Sequence, residues 1–143
     1  MHWGAAADLP PVVGPAGTAH MSIGDFARWA GWNAGGGRRG PALVTPDTLA
    51  RLHKVHVEMT IANPRPGTPK SGGYAMGWGV VRPPWWDALL LTHNGSNGMN
   101  LATVSIDPGR DFGIVAATNI GGEGAEAALL EVAEHLFREF GGR

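Results

Sequence analysis

Met99-Asn100-Leu101-Ala102-Thr103-Val104-Ser105-Ile106-Asp107-Pro108-Gly109-Arg110-Asp111-Phe112-Gly113-Ile114-Val115-Ala116-Ala117-Thr118 decides the fold. Met99 to Ile106 and Phe112 to Thr118 have strand length and apolar character. Between them, Asp107-Pro108-Gly109-Arg110 sets Pro, which fixes φ, ahead of Gly, which accepts the φ that other residues avoid. That order predicts a turn, so the stretch reads as a hairpin.

Upstream of the hairpin, Leu89-Leu90-Leu91-Thr92 is a short apolar strand. Before it, Tyr74, Met76, Trp78 and Val80 alternate with Ala75, Gly77, Gly79 and Val81, which predicts another strand, ended by Pro83-Pro84. The small residues on one side predict close approach of a second backbone or a ligand. Residues 62–73 read as a Pro/Gly loop. Downstream, Glu123 to Phe140 is an amphipathic helix whose buried face is Leu129, Val132, Ala133, Leu136, Phe137 and Phe140. Glu123 and Glu126 favour its start and Gly141 stops it.

Two further helices precede the strands. Ser22 and Asp25 have capping-box spacing, and Phe26, Trp29 and Ala30 follow on one face. Thr45 caps a second helix with Pro46 at its first position, and Leu49, Leu52 and Val55 form its stripe. Residues 1–19 read as an irregular lead-in. The expectation is an α+β chain: an antiparallel meander of three to four strands covered by helices, with no second domain over 1–143.

Composition narrows the function classes. A net charge of −1 gives bulk electrostatics nothing with which to attract nucleic acid. The absence of cysteine excludes disulfides, thiolate nucleophiles and Cys-ligated metal centres. No apolar run approaches the roughly 20 residues of a membrane span. Met1 to Gly14 lacks the basic and apolar regions of a signal peptide, and the compartment stays open. Six Trp against one Tyr is an unusual balance. Trp78, Trp85 and Trp86 are read as packing residues rather than a ligand groove.

Several motifs carry little. Gly35, Gly37 and Gly40 form a literal G-x-G-x-x-G, but it follows a helix and runs into Pro41, so it reads as a flexible loop. His53 and His56, three apart on the second helix, lack further ligands for a metal and read as solvated. No cofactor is implied. Asn94-Gly95-Ser96 is a formal glycosylation sequon, read as chance. His20 reads as satisfying a backbone group near a helix start. The chemistry-bearing segment is His93-Asn94-Gly95-Ser96, placed at a strand edge. It sets a cation-capable ring beside a backbone N–H able to donate to an oxyanion. A polar turn is the competing reading.

Pro15-Ala16-Gly17-Thr18-Ala19-His20-Met21-Ser22 with Asp25-Phe26-Ala27-Arg28-Trp29 resembles a helix region of β-lactamase and penicillin-binding-protein-like serine hydrolases, a family met mostly in bacteria. Val44-Thr45-Pro46-Asp47-Thr48 with Arg51-Leu52-His53 resembles their next helix, and Gly73-Tyr74-Ala75-Met76-Gly77-Trp78-Gly79 a family strand. Leu91 to Asn97, Asn100, Asp107-Pro108-Gly109-Arg110 and Ala117-Thr118-Asn119 resemble the terminal strands. The pieces run in family order from about residue 14 to 140. The resemblance implies that residues 20–140 are the C-terminal portion of a hydrolase domain acting on a small-molecule ester, amide or β-lactam. It also implies catalytic roles for His93 and Ser96, the latter through its backbone N–H, and substrate contacts for Asn94, Gly95 and Asn100.

Family sites also need Ser-x-x-Lys and Tyr-x-Asn. The chain has four serines, and the residues three beyond Ser22, Ser71, Ser96 and Ser105 are Asp25, Tyr74, Met99 and Pro108. Met76 stands where a Tyr74-based Tyr-x-Asn would need Asn. A serine without a base is a weak nucleophile. The expectation is therefore a hydrolase fragment, or truncated reading frame, inactive alone, whose unpaired sheet promotes self-association. The alternative is a non-catalytic binding module, or a half-enzyme paired with a chain that supplies the nucleophile.

Overall fold

A computed structural model describes residues 10–142, apart from 63 and 65–67. The lead-in over residues 1–9 therefore lies outside the described residues, as does part of the 62–73 loop. The rest of the lead-in is more ordered than expected: a 3-10 turn at Pro11–Val13 runs into a short helix α1, Gly14–Gly17. Helix α2, Ile23–Ala34, starts where Ser22 Oγ accepts from the Asp25 N–H. Helix α3, Pro46–His53, starts where Thr45 Oγ1 accepts from the Thr48 N–H. Each cap satisfies an N–H that the first helical turn leaves without a partner.

Six strands follow: β1 Val57–Thr60, β2 Ser71–Tyr74, β3 Gly79–Val81, β4 Leu90–Ser96, β5 Leu101–Asp107 and β6 Phe112–Thr118. Helix α4, Glu123–Phe140, closes the chain. The sheet is antiparallel throughout, in the order β1-β2-β3-β4-β5-β6. The fold is α+β, with six strands rather than three or four.

The extra strands have physical causes. Strand β1 is exposed along its whole length, so no apolar alternation marks it. The predicted strand over Tyr74–Val81 is instead a hairpin. Ala75 N–H donates to the Trp78 carbonyl at 2.8 Å across Met76-Gly77, with Gly77 at φ +81. A two-residue turn reverses the chain and shifts the side-chain parity. Ala75, Trp78 and Val80 are buried together, while Tyr74 points away. Of the small residues, Gly79 has a close neighbour, since a Cβ there would stand 3.1 Å from Thr92 Oγ1, whereas one on Gly77 would meet nothing within 4 Å.

Both faces of the sheet are covered. On one, Ala30 and Ala34 of α2 pack against Trp78, Val80, Leu91, Val104 and Ile106, with Val115 at the margin. On the other, Phe137 of α4 packs with Leu90 and Ile114 and is flanked by Trp85, Trp86 and Phe112. The face predicted for α4 is too wide: Leu129, Ala133 and Phe137 are buried, but Val132 and Phe140 are 43 % and 45 % exposed. On α2, Ala30 is buried and Trp29 remains 41 % exposed. Gly141, just past α4, has no room for a side chain, because a Cβ there would lie 2.8 Å from Trp86 Cη2.

Beyond α2, Gly36, Gly37 and Gly40 all take positive φ, and the loop is ordered around Trp32, whose Nε1–H donates to the Pro41 carbonyl at 3.0 Å. These glycines build a helix exit. Helix α3 ends at His53, so His56 lies beyond it rather than on it.

Candidate functional site

The segment read as a polar turn is the second half of β4. The ladder with β5 continues through Ser96, opposite Leu101. The ladder with β3 stops at Thr92, opposite Gly79. Residues 93–96 are thus hydrogen-bonded to a neighbouring strand on one side only, among the described residues. The apolar pattern ends at Leu91 because the strand there leaves the covered part of the sheet; pairing persists where burial does not. In an antiparallel ladder, alternate residues turn their backbone N–H and C=O to opposite sides, so part of this segment presents backbone groups to the open side.

Side chains alternate as well. His93 lies opposite Val104, which belongs to the α2-side core, so His93 and Gly95 share that face. Asn94 and Ser96 point to the other. All four are exposed. No hydrogen bond to another described residue holds the His93 ring. A Cβ built on Gly95 meets nothing within 4 Å, so packing does not demand glycine there.

The Ser96 hydroxyl is committed to the turn. It donates to the Asn100 carbonyl at 2.7 Å and accepts from the Gly98 N–H at 3.0 Å. Asn97 Oδ1 accepts from the Met99 and Asn100 N–H groups at 3.1 and 2.9 Å. The Asn100 amide reaches back to Asn97 Oδ1 at 3.4 Å. Gly98 takes φ +83 within this self-contained turn. The Gly121 backbone lies against it: a Cβ on Gly121 would stand 2.5 Å from the Gly98 carbonyl oxygen. The strand brings His93 and Gly95 together and separates the His93 ring from the Ser96 hydroxyl, so the pair forms no dyad.

An aromatic network escaped the sequence reading. Trp29 stacks on Trp78 with centroids 5.2 Å apart and rings 10° from parallel, and His53 meets Trp78 edge-on at 5.9 Å. Asn33 Nδ2 donates to the Trp29 carbonyl at 3.0 Å, leaving its Oδ1 to accept from His53 Nε2–H at 3.1 Å. Burial pulls the His53 pKa below the ordinary histidine value. His53 is thus a half-buried packing residue, while His56 Nε2 pairs with the Arg51 carbonyl at 3.0 Å. Trp78 directly precedes Gly79, the partner of Thr92, so the stack stands beside the His93 face of the sheet. Only the Trp count signalled this cluster, since its members are far apart in sequence.

At the opposite end of β5, Asp107 is 1 % exposed. Its carboxylate accepts from Trp86 Nε1–H and Arg110 Nη1 at 2.9 Å each, and from the Gly109 and Arg110 N–H groups at 2.9 and 3.2 Å. Burial alone would raise its pKa. The Trp86, Arg110 and backbone donors outweigh that and hold it below the usual carboxylate value. Arg110 also lies over the Trp86 ring at 4.6 Å and pairs with Asp87. The Trp86 indole, the Arg110 guanidinium and two backbone N–H groups are spent on Asp107 and Asp87, which marks a structural clamp.

Comparison with family models, with curated proteins and with solved structures gives no match. No helix among the described residues is long and apolar enough to cross a membrane.

Proposed function

We propose that this chain is the C-terminal portion of a serine hydrolase domain resembling the β-lactamase and penicillin-binding-protein group, and that it contributes one wall of an acyl-transfer site rather than the nucleophile. The carrying observation is β4 over residues 93–96: a strand paired on one side, exposed, with His93 and Gly95 on one face and nothing packed on Gly95. An open strand edge can hold an extended substrate through backbone groups. In this reading His93 orients the substrate and tunes proton movement, and the Ser96 N–H is one oxyanion donor. The Ser96 hydroxyl, bound into its turn, is not the nucleophile. Asn94 and Asn100 flank the substrate path. The substrate is a small ester, amide or β-lactam.

Two measurements test the reading. The purified chain, incubated with a chromogenic β-lactam, a nitrophenyl ester and a fluorophosphonate probe, is expected to show no turnover and no covalent adduct by mass spectrometry. Turnover lost on Ser96→Ala would overturn the assignment of Ser96. DNA upstream of the Met1 codon is expected to encode, in frame, Ser-x-x-Lys and then Tyr-x-Asn. Their absence would remove the case for a truncated frame and favour the non-catalytic module.

A further inference from the structure

Two of the six asparagines are followed by glycine: Asn94-Gly95 and Asn97-Gly98. Glycine sets no side chain beside its own nitrogen and leaves the backbone free to turn, so this dipeptide is the one in which that nitrogen most readily attacks the asparagine amide. Both dipeptides are exposed, and the fold treats them differently.

Asn94-Gly95 lies inside a ladder. Ala75 N–H donates to the Trp78 carbonyl, so those two residues face each other and Gly79 turns its backbone groups toward β4. Gly79 stands opposite Thr92. The alternation then directs the groups of His93 and Gly95 toward β5, and those of Asn94 and Ser96 toward the open side. The Gly95 nitrogen is thus tied to its partner Ala102. To attack, it would have to leave the ladder and swing Asn94 out of extended backbone.

Asn97-Gly98 lies just past the last ladder position, Ser96 opposite Leu101. Asn97 Oδ1 accepts from the Met99 and Asn100 N–H groups at 3.1 and 2.9 Å. When a nitrogen adds to Cγ, negative charge develops on this oxygen, where two donors already stand. The Gly98 N–H donates to Ser96 Oγ at 3.0 Å, and a Cβ on Gly98 would meet nothing within 4 Å. A single hydroxyl contact therefore holds the nucleophile, and the electrophile is already polarised.

We infer that Asn97 is a self-modification site and that the Ser96 hydroxyl gates it. The Gly98 nitrogen gives its proton to solvent base and bonds to Asn97 Cγ. The Cγ–Nδ2 bond breaks and ammonia leaves, with a proton taken from water. The cyclic imide that remains is opened by water. Attack at Cγ gives aspartate at position 97; attack at the backbone carbonyl gives isoaspartate, with an extra methylene in the main chain. The sum is amide plus water to carboxylic acid plus ammonia, and nothing is oxidised or reduced. Aspartate keeps an acceptor for the Met99 and Asn100 N–H groups. Isoaspartate lengthens the chain before Gly98, whose carbonyl lies against the Gly121 backbone, and so breaks the turn that ends β4. The inference is independent of the hydrolase assignment, because no substrate takes part.

The full chain is incubated at mildly alkaline pH and mapped by peptide mass spectrometry, with electron-transfer fragmentation to separate isoaspartate from aspartate. Conversion is expected at Asn97, faster as pH rises, and about tenfold or more slower at Asn94, which must break two ladder hydrogen bonds. In urea the two rates should converge. Ser96→Ala should speed conversion at Asn97 about two- to tenfold, the factor that one net hydrogen bond is worth, and Ser96→Thr should restore the slower rate. Asn94 is the internal control: if it stays slow in Ser96→Ala, the ladder is intact and the gain comes from the gate. Conversion at Asn94 as fast as at Asn97 in the folded chain overturns the inference. So does an inert Asn97 in the folded chain while both react in urea, and rates that stay apart in urea trace the difference to local sequence, also against it. An unchanged or slower rate in Ser96→Ala overturns the gate.

Discussion

The two ends of the seven-residue strand β5 are built on opposite principles. At the Asp107 end, a buried carboxylate gathers four donors and an aromatic cluster closes over Phe137. At the Leu101 end, the turn from Ser96 to Asn100 hydrogen-bonds mostly to itself and the strand before it stands exposed. One end is locked by packing with its carboxylate fully engaged, although Trp85 Nε1–H is buried beside Phe137 with no hydrogen-bond partner among the described residues. The other is held by local backbone geometry and leaves a ring, a strand edge and open space. A ligand finds open groups only at the second kind of end.

Substitutions that treat the ends unequally test this contrast. Phe137→Ala removes a fully buried ring packed on Trp85, Trp86 and Phe112, and should cost about 3–5 kcal/mol in urea unfolding. If the loss were under about 1 kcal/mol, the packed end would not be what holds the sheet. Asp107→Ala strands Trp86 Nε1–H and leaves Arg110 without its buried partner, for a loss of about 2–4 kcal/mol by the same measurement.

The same carboxylate gives the clamp a pH signature. Its folded pKa lies below its unfolded one, so the unfolded chain binds more protons as pH falls. Its contribution is complete above the ordinary aspartate value near 3.9 and fades as pH drops through the lowered folded value. The wild-type melting temperature should fall over that acid range, and Asp107→Asn should fall less.

At the open end the effects shrink and separate. Gly98→Ala forces a Cβ into φ +83 and should cost about 1–2 kcal/mol. Gly95→Ala, a few residues away, meets no atom and should stay within about 0.5 kcal/mol. Near-neutral stability at Gly95 combined with lost substrate or ligand binding would sharpen the case that this position serves something outside the chain.

Much of the fold was legible where local chemistry and burial agree. The β5–β6 hairpin turns where Pro108-Gly109 predicted it, although the positive φ falls on Asp111 (φ +52) and not on Gly109, and α4 spans Glu123–Phe140 as its periodicity required. The reading failed where the two signals part. At Met76-Gly77 the alternation runs through a turn and hides a reversal. In β1 and in residues 93–96 there is pairing without burial, and pairing alone leaves no hydropathy trace. The candidate residues could be named from the sequence. That His93 and Ser96 fall on opposite faces could not, because it depends on the strand continuing past Thr92.

The strictly sequential strand order also bears on how the chain reaches this shape. Every strand pairs with its neighbour in sequence, so no pairing waits for a distant segment to arrive. The longest ladders, β4 with β5 and β5 with β6, close over tight turns. Closing short loops loses little entropy, and chains rich in local contacts fold fast for their content of β structure. The sheet is thus expected to assemble hairpin by hairpin from the β5–β6 turn, with the kinetic phase set by the later docking of α2 and α4.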